Sequence, residues 1–433
     1  MLRFARRPLD ALRGWQARYG NVFTVKFIGF GTGVYVAEPD AIKQLFTGDQ
    51  SDLLAGEANS IMEPVLGPHS VLVLDGPEHL RQRKLLLPPF QGSRVNAFRE
   101  VIRDVAEREV AGWRAGQQLV LRDRMRALTF EVICRAVFGV TEPDRVERLR
   151  ASLTAVIDSN PLYMLWPAMR RDLGPLSPGR LFHSRLRAAD AALLAEIERR
   201  RGEPDLEQRS DVLSLLLCAR DEDGRPMTDG ELRDELFTLL AAGHETTSTG
   251  LAFTFELLLR NPDVLARLRD ELAGGDGDAY LDAVVKESLR VRPVIDGAER
   301  TLTKPRVLAG WELPAGVKVY PGIALVHLRE DLYSRAEEFR PERFLDDATE
   351  SYSWLPFGGG IRRCIGAALA QAEMAEVLRV AVRAVELELL SAAPDPIVLH
   401  AITLVPKHGV RVVVRARRRQ QPSVPAPESV AAA

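Results

Sequence analysis

One cysteine, two arginines and three consecutive glycines stand together in Ser353-Trp354-Leu355-Pro356-Phe357-Gly358-Gly359-Gly360-Ile361-Arg362-Arg363-Cys364-Ile365-Gly366. The stretch runs into Ala367 to Glu376, whose composition favours helix, so Cys364 sits in a glycine-rich loop at a helix N-terminus. Unpaired backbone N–H groups, the positive end of the helix dipole and neighbouring guanidinium groups all favour a thiolate there. Such a thiolate is a nucleophile or a metal ligand; the plain alternative is a small cysteine packed at a helix start. A nucleophile needs a histidine as base, and no CxxC pair links Cys364 with Cys134 or Cys218 into a zinc site.

A second polar group, Ala242-Gly243-His244-Glu245-Thr246-Thr247-Ser248, interrupts an apolar run. The run opens at a capping box, Thr228 to Glu231, and stops at Asn261-Pro262, which predicts a helix of about thirty residues through the middle of the domain. Burying glycine, acid and hydroxyls mid-helix is costly unless something pairs with them. Hydroxyl back-bonding at a kink is the plain structural reading. A third pair, His79 and Arg83, lies four residues apart behind the helix-start signal Asp75-Gly76-Pro77. In isolation it reads as a solvated basic face. Glu287 and Arg290, three apart and followed by Phe339-Arg340-Pro341-Glu342-Arg343-Phe344, carry no meaning alone.

A lone thiolate suits a metal that brings its other ligands with it, as haem iron does. Phe357, Gly360, Arg362, Cys364 and Gly366 reproduce the pattern F-x-x-G-x-R-x-C-x-G, and on these residues the sequence resembles the cytochromes P450. His79/Arg83, Ala242 to Thr247, Glu287/Arg290 and Phe339 to Phe344 match further elements of that family in its order. The resemblance implies haem b (iron protoporphyrin IX) with Cys364 as its axial metal ligand. It assigns cofactor binding to His79, Arg83, Arg300, Phe357, Gly358, Arg362, Cys364 and Gly366, with His79, Arg83 and Arg300 at the propionates. Gly243 would leave room for dioxygen, and Glu245 with Thr246 would deliver protons. Glu287, Arg290 and Arg343 would lock the face behind the cysteine loop.

The implied fold is mainly α with small β-sheets, its long central helix beside a buried haem. One haem domain would span residues 1–415, with 416–433 as a disordered tail whose last residues are rich in Pro, Ala and Ser. The implied activity is a monooxygenase that inserts one atom of dioxygen into a hydrophobic small molecule, by hydroxylation or epoxidation. A haem-thiolate peroxygenase or isomerase and a non-catalytic haem sensor are the alternatives. Gly29 to Gly33 lacks the glycine a dinucleotide site needs where Val34 stands, and reads as a hairpin turn between strand-like Phe23 to Ile28 and Val34 to Val36. Electrons must therefore come from separate proteins, a ferredoxin with its ferredoxin reductase, for which Arg81, Lys84 and Arg363 would form a basic docking face.

The surrounding elements bear on how these residues are placed. With 433 residues, 46% hydrophobic content and a net charge of −2, the chain can bury a large core and gives no reason to expect nucleic acid or an anionic membrane as partner. Met1 to Pro8 has no apolar run of the kind a membrane anchor needs, and three cysteines cannot pair completely, so a cytoplasmic protein is expected. A short helix opens at Pro39, and Ser51 to Leu74 is aperiodic, either plain loop or a mobile cover over the pocket. Ser93 to Val140 and Arg145 to Arg201 read as helical, the latter broken at Pro161, Pro167, Pro175 and Pro178. Short strands are expected at Thr301 to Thr303, Arg306 to Leu308 and Val317 to Tyr320, and a hairpin over Ala401 to Val410 with its tip toward the pocket. Ser51 to Leu74, Ile157 to Leu181, Phe237 to Thr247, Pro293 to Gly297 and Ile402 to Leu404 would wall that pocket, and their apolar content suits a hydrophobic substrate.

Overall fold

Thr228 opens the longest element. Its side chain accepts from the Glu231 amide and Glu231 answers to the Thr228 amide, so the capping box forms in full. The computed structural model describes residues 4, 6–27, 31–159, 163, 167–174, 177–274, 277–345 and 351–418. Helices dominate it: α1 (Pro8–Tyr19), α2 (Pro39–Thr47), α3 (Gly76–Leu86), α4 (Ser93–Ala111), α5 (Leu121–Ala136), α6 (Pro143–Ile157), α7 (Pro178–Arg201), α8 (Asp229–Arg260), α9 (Pro262–Gly274), α10 (Ala279–Val291) and α11 (Ala367–Ala384). From Thr247 to Leu258 every residue of α8 is buried, as a helix through the centre of a domain requires. α5, α7, α10 and α11 pack around it.

The strands are β1 (Val22–Phe27), β2 (Gly31–Val36), β3 (Leu53–Leu54), β4 (Gln118–Val120), β5 (Arg300–Leu302), β6 (Arg306–Leu308), β7 (Trp311–Leu313), β8 (Lys318–Pro321), β9 (Val385–Leu389), β10 (Ile397–His400), β11 (Thr403–Pro406) and β12 (Arg411–Arg417). The largest sheet has the order β1-β2-β8-β5-β3, with β2 and β8 parallel and its other pairs antiparallel. Its apolar face forms a core with α1 and α2, separate from the larger core of the helices.

Three expectations are corrected. Ser51 to Leu74 is not a plain loop: it holds β3 and short helical turns at Ala55–Asn59, Ser60–Met62 and Glu63–Leu66. Side chains of α8 then bind it, since Asp234 accepts from the His69 amide at 2.9 Å, Glu235 from the Val71 amide at 2.9 Å, and Thr238 bonds Ser70 Oγ at 2.7 Å. Acceptors more than 160 residues away satisfy this backbone, so local periodicity carries no sign of them. The expected hairpin over Ala401 to Val410 is displaced: it joins β10 to β11 through Ala401, at φ 52°, and the chain beyond Pro406 enters a different sheet, β4-β12-β9. Finally, β12 runs past the expected boundary at residue 415, with Arg417 donating to the carbonyl of Ala111 at 2.7 Å and the Arg418 amide to that of Ala384 at 2.8 Å. The rest of the expected tail, the turn residues 28–30, and Pro161 and Pro175 lie outside the described residues.

Candidate active site

Backbone geometry shapes the cysteine loop. The Cys364 amide donates to the Phe357 carbonyl at 2.9 Å and the Gly358 amide to the Leu355 carbonyl at 2.9 Å. Gly358 and Gly360 have φ of 65° and 61°, in the left-handed region that favours glycine. A Cβ on Gly360 would meet the Phe46 carbonyl oxygen at 1.8 Å, so the loop lies directly on the end of α2. Gly366 is the N-cap of α11, and its amide faces the thiol. Phe357 packs edge-on against Trp354, with ring centroids 5.9 Å apart.

Cys364 is reachable by solvent although protein surrounds it on most sides, as for a side chain on the wall of a concavity. Burial pushes the thiol up, and the Gly366 amide, Arg83 and Arg363 oppose this. The helix N-terminus and the two arginines thus act on Cys364 in the expected direction, against a desolvation that the sequence does not show.

Beside the thiol, four basic groups converge from distant parts of the chain. His79 of α3 is buried, not solvated, and burial, then Arg362, Arg83 and Arg300, push its imidazole down to about 3. Arg300 and Arg362 are each pushed down to about 10, chiefly by burial, and among the described residues Nε of both is buried without a hydrogen-bond partner. Arg83 donates to the Arg363 carbonyl at 2.7 Å and senses Cys364 electrostatically. Among the described residues Asp75 is the one carboxylate acting on this group. Arg362 bonds it at 2.5 Å, and the same Oδ1 accepts from the amides of Ala55 and Gly56.

Midway along α8, Leu239, Ala242, Gly243 and Thr246 form a less buried stripe in an otherwise buried helix. Thr246 donates to the Ala242 carbonyl at 2.5 Å, so back-bonding is present and the alcohol also lies on the open stripe. Glu245 turns the other way, into α5. It bonds Arg122, and Arg126 Nε lies 3.1 Å from its Oε2. Burial pushes the carboxyl up, yet Arg122 and Arg126 outweigh it and hold the group below the usual carboxylate range. A Cβ on Gly243 would meet Ile133 Cδ1 at 3.0 Å, so the visible reason for this glycine is the close approach of α5.

A family model described as Cytochrome P450 matches residues 1–412. The chain is a cytochrome P450. It is 43% identical to cytochrome P450 135B1 of Mycobacterium bovis over 95% of this chain and 88% of that one. Cytochrome P450 135A1 of Mycobacterium tuberculosis is 38% identical over 96% and 92%. Among solved structures, a retinoic acid bound cyanobacterial CYP120A1 superposes with a TM-score of 0.81 at 26% identity, covering 94% of each chain. A cytochrome P450DA heme domain shares the fold with a TM-score of 0.83 at 24% identity over 95% and 94%.

The cofactor of a cytochrome P450 is haem, and the residues present fit it. Three guanidinium groups and an imidazole face a single carboxylate, with two buried Nε atoms unpartnered, which is a surplus of donors suited to a dianionic ligand such as a pair of propionates. Behind the loop, Arg290 bonds Glu287 at 2.7 and 2.8 Å, and both are fully buried. Arg343 Nε and the Arg340 amide add to the same Glu287 oxygen at 3.1 and 2.9 Å.

Sequence reasoning missed Arg122 and Arg126, which lie in a helix of low amphipathic contrast with no motif around them. Spacing along α5 shows only that two arginines four apart share a face. The expected basic docking face is reduced: Arg81 bonds Asp221 at 2.6 Å and also Glu231, and Lys84 pairs with Glu222 at 2.7 Å. Of the three, Arg363 alone has no side-chain ion pair among the described residues.

Proposed function

We propose that this cytochrome P450 is a monooxygenase that inserts one atom of dioxygen into a hydrophobic small molecule, using electrons from a ferredoxin and its reductase. The observation that carries the reading is the split orientation of two neighbours, with Thr246 on the open stripe of α8 and Glu245 turned into two arginines. Haem would be held by Cys364 and by His79, Arg83, Arg300 and Arg362, and would supply the activation of dioxygen. Phe357, Gly358 and Gly366 shape the loop that presents the sulfur.

The Thr246 hydroxyl donates to a carbonyl, so its lone pairs face the stripe and accept a hydrogen bond from whatever lies there. To pass its proton it swings off the Ala242 carbonyl. Glu245 is a carboxylate at neutral pH, and it can recharge the alcohol only by taking a proton and turning away from Arg122. The arginines therefore gate proton delivery, a task that peroxide-driven or isomerising chemistry does not pose.

Apolar pocket segments support a hydrophobic substrate, as does the retinoic acid bound to a solved relative. No flavin or nicotinamide fingerprint stands in the sequence, which supports separate electron donors, docking at Arg363 more than at the neutralised Arg81 and Lys84. Free cysteines suit the cytoplasm. The test compares product formed from reductant plus dioxygen with product formed from peroxide. Product in the first arm, at rates above the second, supports the monooxygenase. Product from peroxide alone points to a peroxygenase, product in neither arm with full haem loading to a sensor, and each sinks the proposal.

A further inference from the structure

His327 ends a one-turn helix, Ile323–His327, and is fully buried. Its Nε2 accepts a hydrogen bond from the Leu355 amide at 2.8 Å. An acceptor nitrogen carries no proton, so the ring's proton sits on Nδ1, which is buried without a partner among the described residues. Protonation of Nε2 would break this bond. Burial, then the adjacent Arg290 guanidinium, push the imidazole down to about 3, which favours the neutral ring that this bond requires.

The same residue faces the buried ion pair. Arg290 donates to the His327 carbonyl at 2.6 Å while holding Glu287 with its other nitrogens. Leu355 in turn accepts the Gly358 amide, and the Phe357 carbonyl between them accepts the Cys364 amide. A continuous chain of hydrogen bonds thus runs from Glu287 through Arg290, His327, Leu355 and the 355–358 turn to the backbone of Cys364. Two residues before Leu355, Ser353 receives the Tyr333 hydroxyl at 3.1 Å, and Arg290 lies over the Tyr333 ring at 4.7 Å.

We propose that His327 is a positioning residue for the cysteine ligand: its imidazole ties the first residue of the cysteine loop to the buried Glu287–Arg290 pair and thereby sets where the sulfur points. The proposal rests on the reading of Cys364 as haem ligand. No side chain other than His327 receives the Leu355 amide among the described residues, and a mis-set loop would be felt at the sulfur through the bond between Cys364 and Phe357.

The test uses the haem-loaded protein and two variants, His327→Leu, which removes the acceptor, and His327→Gln, whose carbonyl reaches about as far as Nε2. Two readouts are taken, hydrogen exchange at the Leu355 amide and the Soret band of the reduced carbon monoxide complex, which reports thiolate ligation. His327→Leu is expected to speed exchange at Leu355 by about tenfold or more and to raise the fraction of carbonyl complex without the thiolate-type band. His327→Gln is expected to restore both. If the leucine variant does not fold, the glutamine variant decides: parental protection and spectrum support the proposal, and a folded protein with an unprotected Leu355 or a lost thiolate band overturns it. An unchanged leucine variant overturns it as well. A parent that never shows the thiolate-type band defeats the haem-thiolate reading instead, a result the variants do not mimic.

Discussion

Arg126 Nε lies 3.1 Å from Oε2 of Glu245, and Arg122, one turn earlier on α5, bonds the other carboxylate oxygen. The acid nominated for proton delivery is therefore held away from the stripe that carries Thr246. Its low proton affinity is the balance of burial, which opposes the charge, against two guanidinium groups that favour it.

That balance has a sign that can be tested. A carboxyl held below its ordinary range stabilises the fold at pH above that range and loses the contribution as pH falls through it. Arg122→Gln removes part of the opposition to burial, so Glu245 becomes protonated at higher pH than in the parent. The acid limb of the rate-pH profile for product formation should move to higher pH, while the part of the acid loss of stability in urea unfolding that this carboxyl contributes should shrink. Profiles that superpose on the parent's would show that Arg122 does not govern this carboxyl.

The Glu287–Arg290 pair makes a different demand. Both are fully buried, and Glu287 Oε1 also holds the Arg340 amide and Arg343. Arg290→Ala leaves the buried Glu287 carboxylate with Arg343 and the Arg340 amide on one oxygen and nothing on the other among the described residues, and leaves three carbonyl oxygens, those of His327, Ala336 and Glu338, without this donor. A loss of about 3–5 kcal/mol is expected, the usual result of breaking a buried pair from one side. Arg343→Ala should lose less, because its second bond, to the Arg335 carbonyl, is near solvent. Equal losses in denaturant titrations would contradict this ranking.

What the sequence disclosed follows from where each signal lives. The capping box at Thr228 and the stop at Asn261-Pro262 are local chemistry, and α8 spans Asp229–Arg260 as they imply. The cysteine loop was legible because spacing alone defines it. Gly360 explains why: no side chain fits against the Phe46 carbonyl. The grip of Asp234, Glu235 and Thr238 on residues 69–71, the pairing of Glu245 with α5 and the neutralising of Arg81 were not legible, since each joins residues more than a hundred positions apart. The burial of Cys364 was not legible for another reason. Helix ends and arginines can be counted in a sequence, whereas the depth of burial that opposes them cannot.

Arg300 separates folding from cofactor retention. It is buried beside Arg362, and among the described residues its Nε is unpartnered and its Nη1 has the Glu299 carbonyl alone. Arg300→Met should leave the haem-free protein as stable as the parent or more so, since a buried cation is exchanged for an apolar chain of similar length. The same change should weaken haem retention by about ten- to a hundredfold, the loss of a charge-assisted hydrogen bond of about 1.5–3 kcal/mol. Urea titration of the apo form and the rate of haem transfer to an acceptor globin measure the two separately. Destabilised apo protein with undiminished haem retention would assign Arg300 to the fold and not to the cofactor.

Thr246 offers the sharpest separation of chemistry from structure. Its hydroxyl bonds the carbonyl one turn back at 2.5 Å, a bond the helix does not need, because that carbonyl can also serve the ordinary backbone ladder. Thr246→Ala should therefore fold and bind haem like the parent, with thermal stability little changed. It would lose the hydroxyl that Thr246 presents on the open stripe of α8. Reductant consumption should continue, while product formed per reductant falls by about tenfold or more, within the range for removing a positioned proton donor, and peroxide should appear in its place. Thr246→Ser keeps an oxygen at the same place and should recover most of the coupling. Product, peroxide and consumed reductant measured in the same reaction decide the matter, and an alanine variant that still turns nearly all of its electrons into product would remove Thr246 from the path of the proton.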